Sequence, residues 1–225
     1  MKGNKPGLML RYECRVHAEG YRFYDPVKGN ESETVMIPNF GLKEWPPKTI
    51  AKQLSPDAFL EYANCGIGWG GITHEERKQR MLDFTLNYGD MLGSEDYGST
   101  DRPEDVPDRF SRVFDFFLGA NDMKARIEKI MDRDIDDEIQ NLTDPEYTNT
   151  LRHGFEKDEV TGRLQHIVTA DYLYQAIEFQ VTENLFFVDH IKVCTVCGKL
   201  FKSKRSDKET CSNNCRQKKH QEEKK

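Results

Sequence analysis

The grouping of cysteines near the C-terminal end constrains this chain more than any other feature. Cys194 and Cys197 form a C-x2-C pair, and Cys211 and Cys215 form a second pair with thirteen residues between the two. Thiolates bind Zn²⁺, and a structural zinc takes four ligands in a tetrahedron. A C-x2-C turn presents two sulfurs to one side of a metal. Cys211 and Cys215 are four apart, so they share a face of a helix's first turn. Ser212, between them, is a favourable N-cap for that helix. The spacing predicts one structural Zn²⁺ held by Cys194, Cys197, Cys211 and Cys215. Four sulfurs complete the tetrahedron, so the metal has no open position for catalysis. His220, five residues beyond Cys215, is a substitute ligand only if a sulfur is missing. The competing readings are a pair of disulfides or loose thiols. Cys14 and Cys65 are isolated, which fits a reducing cytoplasm better than a disulfide scaffold.

The charge distribution sets this segment apart. Of 33 Lys/Arg and 39 Asp/Glu, eleven and four lie in residues 192–225, leaving 22 and 35 in the rest. The segment is therefore +7 and the remainder −13, within a net charge of −6. Four thiolates on one Zn²⁺ lower the first figure to about +5, still clearly basic. Such asymmetry points to an anionic partner for the basic part. The 225 residues suffice for a body with its own core plus a small metal module. Charged residues make up 32% and mean hydropathy is −0.79, yet 11% aromatics supply a packed interior. No apolar run reaches the length of a membrane span. Met1-Lys-Gly-Asn-Lys-Pro6 leads into no apolar secretory core, so a cytoplasmic location is expected.

Taken in order, residues 1 to about 45 predict a small antiparallel sheet from Leu8–Cys14, Tyr21–Tyr24 and Thr34–Ile37, with a turn at Gly29-Asn30. Trp45-Pro46-Pro47 ends that region. Ser55-Pro56 predicts a helix over 56–64. Gly66-Ile-Gly-Trp-Gly-Gly71 breaks it, and a capping box of Thr73 and Glu76 starts another that runs to about Leu92. Residues 93–107 read as a polar loop. Phe110, Val113, Phe114, Phe117 and Leu118 predict an amphipathic helix that stops at Gly119. Asn121 then caps a further helix carrying Ile127, Ile130, Met131 and Ile135. Leu151–Phe155 and Arg163–Val168 read as a β-hairpin, with His153 and His166 facing across it. A helix over about 170–188 is apolar on more than one face and so belongs at the centre of the core. It runs almost directly into Cys194. The expected architecture is α+β: a mainly helical body with small β-hairpins over residues 1–190, and a zinc finger with a basic tail over 191–225.

The string C-x2-C-G-x2-F ending at Phe201, then Arg205-Ser-Asp207, then C-S-x2-C-R-Q ending at Gln217, resembles a treble-clef finger common at the C-termini of bacterial and phage proteins. It is similar to the zinc finger of the CGNR group, over about residues 194–219. The resemblance implies a mostly helical N-terminal domain, the ABATE domain, ahead of the finger, and a role in transcriptional regulation. Tyr62-Ala-Asn64, followed by a Gly/Trp-rich turn, is similar to that group's N-terminal pattern. The last cysteine is followed by Arg216-Gln217, where the group carries Gly-Asn-Arg.

Lys199, Lys202, Lys204 and Arg205 lie between the cysteine pairs, with Lys208, and Arg216, Lys218 and Lys219 follow them. Cations on a rigid finger suit phosphate contact, with a steep loss of binding in salt. A finger helix that entered a major groove would bring Arg216 or Asn213 near base edges. Nucleic acid, DNA in the first instance, is the expected partner, and the body is a candidate for self-association. The alternative is a structural or protein-interaction module, in which the finger caps the body or docks on a partner. In the zinc finger itself, Phe201, four residues past Cys197, is expected to pack under the knuckle as the module's small core.

Enzyme chemistry has less in its favour. Gly66–Gly71 satisfies G-x-G-x-x-G, but a helix and not a strand precedes it, so it reads as an interhelical turn with Trp69 packed inward. The acidic run Asp132–Glu138 does not share one helix face. A metal-dependent nuclease of the His-Asn-His kind would need His190 as base, and no other histidine is near the finger's hairpin. No catalytic residue is assigned.

Overall fold

Two glycines let the first and third helices of this protein touch, and that contact frames the body. The computed structural model describes residues 9–18, 20–24, 34–38, 49–68, 70–91, 112–132, 151–157, 162, 164–170, 172–184 and 190–224. They form strands β1 (Met9–Arg11), β2 (Glu13–His17), β3 (Tyr21–Tyr24), β4 (Val35–Pro38) and β5 (Thr49–Gln53), then helices α1 (Ala58–Cys65), α2 (His74–Tyr88) and α3 (Val113–Met131). Strands β6 (Leu151–Lys157) and β7 (Leu164–Ala170) lead to α4 (Leu173–Asn184). Strands β8 (Ile191–Val193) and β9 (Leu200–Lys202) and helix α5 (Asn213–Glu222) complete the chain. The class is α+β, as expected, with a cysteine cluster at its end.

Helix α1 fits the expected 56–64 but starts two residues later. The Ser55 hydroxyl accepts from Asp57 N–H at 3.2 Å and makes a turn before the helix rather than capping it. Gln180 of α4 does the capping: its Oε1 accepts from Phe59 N–H and its Nε2 donates to Ser55 O. At the other end, Arg80 of α2 donates to Cys65 O and Ile67 O, so a side chain satisfies carbonyls that the helix leaves open. The predicted capping box is formed, with Thr73 Oγ1 accepting from Glu76 N–H and the Glu76 carboxylate accepting from Thr73 N–H. Helix α2 ends at Tyr88, earlier than predicted.

Gly119 does not end a helix, and Asn121 caps none. Helix α3 runs through both. A Cβ on Gly119 would sit 2.4 Å from the Tyr62 hydroxyl, which donates to Phe116 O at 3.0 Å. A Cβ on Gly66 would sit 2.7 Å from Asn121 N. Both glycines are close-approach positions that let α1 press onto α3, which outweighs the roughly 1 kcal/mol that a helical glycine costs. The longer helix also moves the buried stripe. It is Val113, Phe116, Phe117, Ala120, Met123, Ile127 and Ile130, whereas Phe114 and Leu118 are exposed. Tyr62, Phe84, Tyr88, Phe116 and Phe117 stack around this crossing with ring centroids 4.9–5.6 Å apart.

The expected antiparallel sheet over residues 1–45 is real only for β3 and β4. Strand β2 pairs instead with β5, and β1 lies parallel to β7, with Met9 opposite Ile167. These pairings join residues far apart in sequence, and nothing local marks them. The predicted hairpin is β6–β7. Its register sets Phe155, not His153, opposite His166, and those two rings stack at 5.0 Å. Helix α4 is central, as predicted: Leu173, Ala176, Ile177 and Val181 are buried. Outside the described residues lie the Gly29-Asn30 turn, Trp45–Pro47, Trp69, the 93–107 loop, Phe110, nearly all of the acidic run and the chain leading into His190.

Candidate metal centre

Short-range backbone chemistry builds the cysteine site. Strands β8 and β9 form a hairpin whose tip is Cys194–Lys199. Cys194 N–H donates to Lys199 O at 2.8 Å and Gly198 N–H to Cys194 O at 2.9 Å. That tight reversal requires φ +69° at residue 198, which glycine adopts without strain. After β9 the loop 203–210 returns along the hairpin. Lys192 Nζ donates to Arg205 O and Ser206 O at 2.8 and 2.5 Å, and Thr195 donates to Glu209 O through its backbone and its hydroxyl. The loop thus delivers Cys211 to the hairpin tip. Ser212 then caps α5, its hydroxyl accepting from Cys215 N–H at 3.3 Å, as its position predicted. The cap fixes Cys215 in the first turn, beside Cys211.

The four sulfurs lie within 4.8 Å of one another. Cys197 Sγ is 3.6 Å from Cys211 Sγ, and Cys211 Sγ is 3.7 Å from Cys215 Sγ. A disulfide would hold sulfurs at about 2.05 Å, and all six cysteines are free. A tetrahedral metal with sulfur at about 2.3 Å sets its ligands about 3.8 Å apart. Two of the sulfur separations therefore match the edge of a metal tetrahedron, and Cys194, Cys197, Cys211 and Cys215 would hold the ion.

The local field agrees. Burial disfavours the Cys194 thiolate, but backbone N–H groups of Cys211, Cys197 and Val196 together with the Cys197 thiol outweigh it and hold the group at about 6. The Cys211 N–H lies 3.4 Å from that sulfur. Burial and then the neighbouring thiols push Cys211 up to about 12 and raise Cys197. Without a cation, then, Cys194 ionises most readily, and Cys197 and Cys211 resist ionising beside it. A divalent ion at the centre removes that conflict by ionising every ligand.

The hairpin is fastened to the body. Asn64 of α1 donates from Nδ2 to Leu200 O at 2.9 Å and accepts Leu200 N–H on Oδ1 at 2.8 Å, so one side-chain amide imitates a neighbouring strand on β9. Leu200 and Ile191 belong to the same buried core as α1, α3 and α4. Phe201, expected under the knuckle, is only half-buried, with Lys208 Nζ 5.3 Å above its ring. The alternation of β9 explains the difference, because Leu200 takes the inward position. Replacing Asn64 by Leu is expected to cost about 1–3 kcal/mol, since both Leu200 groups lose their partner. Thermal melting and faster hydrogen exchange at the Leu200 amide, with metal content unchanged, are the readouts.

The predicted cations divide into two groups. Lys202 is committed to docking: its Nζ is 2.6 Å from Asp57 Oδ1 and 4.9 Å from the Phe59 ring centroid. Arg205 makes a two-point ion pair with Asp207, and Lys219 pairs with Glu209 and Glu223. Lys199, Lys204, Arg216 and Lys218 are exposed and form no ion pair among the described residues. His220 stands outside the cysteine cluster, with Nδ1 3.5 Å from Glu223 Oε2. His190 contributes its carbonyl to Ser203 N–H, and its side chain is exposed. Sequence reasoning missed Asn64 as the docking residue, Gln180 as the α1 cap and Lys192 as the loop tie. Only Asn64 carried a signal, as part of Tyr62-Ala-Asn64.

No protein-family model, curated protein or solved structure matches the chain. Among the described residues, no helix is long and apolar enough to cross a membrane.

Proposed function

We propose that residues 191–225 are a treble-clef finger built on one structural Zn²⁺, and that its helix α5 contacts nucleic acid, with DNA the first candidate. One observation carries this reading. Helix α5 spans ten residues and buries no side chain. A helix this short is marginal alone in water, so the metal at Cys215 and the Ser212 cap must hold it. What it displays is Asn213, Asn214, Arg216, Gln217 and Lys218. Amide and guanidinium groups of this kind bond base edges, and lysines bond phosphates. Zinc is the natural ion for four thiolates in a tetrahedron. Closed coordination makes it structural, so the chain is read as a binding protein and not as an enzyme. The likeness to CGNR fingers adds a regulatory role in transcription, in a reducing cytoplasm.

Arg216 lines a groove of about 520 Å³ between the 205–210 loop and α5, but Asp207, Glu209 and Glu223 line it too. Of the cations that line it, Arg205 and Lys219 are paired with those carboxylates, whereas Arg216 forms no ion pair among the described residues. Phosphate contact therefore falls to Lys199, Lys204, Arg216 and Lys218, and not to the whole set that the sequence nominates. In fluorescence anisotropy, the metal-loaded chain is expected to bind duplex DNA with affinity that collapses from low to moderate salt. Arg216→Glu with Lys218→Glu should weaken binding and flatten the salt slope by roughly two. No binding at low salt would sink the proposal. The capping reading is favoured by the Asn64–Leu200 lock, which makes the finger part of the body's own core.

A further inference from the structure

Helix α5 turns a row of amides away from the metal centre. The cluster fixes the rotation of this helix, because Cys215 faces the other sulfurs and Lys219, one turn on, reaches back to Glu209. Both are partly shielded, whereas every other residue of the helix is exposed. Successive residues of an α-helix turn by about 100°. Gln217 is two residues from each of the shielded pair, so it lies about half a turn from both, at the centre of the outer face. Asn214 and Gln221 stand three before and four after it, so the three amides share one row. Arg216 and Lys218 lie about 100° to either side of Gln217.

None of these five side chains makes a hydrogen bond or an ion pair among the described residues. The remaining amide, Asn213, lines the groove beside Asp207, Glu209 and Glu223. On that side Lys219 and His220 are paired with carboxylates of the finger itself. The helix therefore has one engaged side and one face that the fold does not use.

The chemistry of that face is selective. A carboxamide carries a donor and an acceptor side by side. Adenine shows the matching pair in the major groove, N7 as acceptor and the N6 amino group as donor. Guanine shows two acceptors there, which suit arginine and not an amide. The row from Asn214 to Gln221 is about 10 Å long at the rise of an α-helix, the length of three base-pair steps of about 3.4 Å each. Cations to either side of such a row are placed for the phosphates that wall a groove.

We propose that Asn214, Gln217 and Gln221 are the base-reading residues of α5, and that the ligand they select is duplex DNA with adjacent adenines in its major groove. Arg216 and Lys218 hold the phosphates on the two sides, so Arg216 positions the helix and does not read bases. The inference rests on the nucleic-acid reading and adds a sequence class to it.

Competition anisotropy on the metal-loaded full chain at low salt is the test. The competitors are duplexes identical except for a central tract of adenines, of guanines, or of 7-deazaadenines, which pair normally but lack the N7 acceptor. The adenine duplex is expected to compete about tenfold better than the guanine duplex, and the 7-deaza duplex should lose most of that advantage. Gln217→Ala should shrink the adenine-to-guanine ratio about fivefold, and Gln217→Arg should move the preference toward guanine. Zinc content and hydrogen exchange of α5 show that each variant is folded, and Gln221→Ala supplies a second reading of the ratio. Binding at low salt with equal affinity for adenine and guanine duplexes overturns this inference and leaves the nucleic-acid reading standing. A folded Gln217→Ala that keeps the whole preference, or a 7-deaza duplex that competes as well as the adenine one, also overturns it. No binding to any duplex removes the nucleic-acid reading, and the inference with it.

Discussion

Removing the metal, or replacing Cys215 by serine, is expected to unfold α5 and release the 203–210 loop while the body stays folded. A structural zinc at the four cysteines would contribute roughly 10–16 kcal/mol, as in zinc-finger modules, far more than the other interactions described in residues 190–224. Without the ion nothing else holds α5, since it buries no side chain and its own propensity is marginal. The pair of Lys219 with Glu209 is solvent-exposed and screened, so it adds little. The body differs, because its core of α1, α2, α3 and α4 closes around its own aromatic cluster. Metal analysis should give one zinc per chain for the wild type and none for Cys215→Ser. Hydrogen exchange should show residues 203–222 unprotected in the variant, with the α1, α3 and Leu200 amides little changed. Protection of α5 in metal-free protein would mean that packing, not zinc, builds the finger.

The same contrast explains what the sequence revealed. The cysteine cluster was legible because it depends on short spacings, C-x2-C and then four residues around a serine cap. Capping at Thr73 and Glu76 and the β6–β7 hairpin were legible for the same reason. Helix α3 was misread because Gly119 carries a local meaning, helix stop, that Tyr62 of another helix overrides. Once the helix was cut there, a five-residue stripe had to set its phase, and Phe114 and Leu118 fell on the wrong side. The parallel pairing of β1 with β7 and the amide of Asn64 across Leu200 depend on partners more than a hundred residues away. The basic residues show a third case. Composition counts them alike, but Lys202, Arg205 and Lys219 are engaged within the fold, whereas Lys199, Lys204, Arg216 and Lys218 form no ion pair among the described residues.

The second large effect is expected far from the metal, at Arg126 on α3. Its Nη1 lies 2.7 Å from both carboxylate oxygens of Glu178 on α4, whose side chain is 7% exposed. An ionised carboxylate this deep is strongly disfavoured unless a cation accompanies it. Burial and then the Glu178 charge push the neighbouring Tyr174 hydroxyl up, so it stays protonated and gives Glu178 a hydrogen bond but no opposing charge. Arg126→Met keeps the packed stem but removes the charge, and should cost about 3–5 kcal/mol, the penalty for an uncompensated buried ion. For a chain of this size that lowers the melting point by about 2–4 °C per kcal/mol. Chemical denaturation of Arg126→Met, Glu178→Gln and the double variant forms the decisive cycle. The double variant should recover most of the loss, because a neutral amide tolerates the site better than a carboxylate that has lost its cation. If Arg126→Met costs less than about 1 kcal/mol, the pair behaves as a solvated surface bridge, and the α3–α4 contact must rest on Ile127, Ile177 and their apolar neighbours instead.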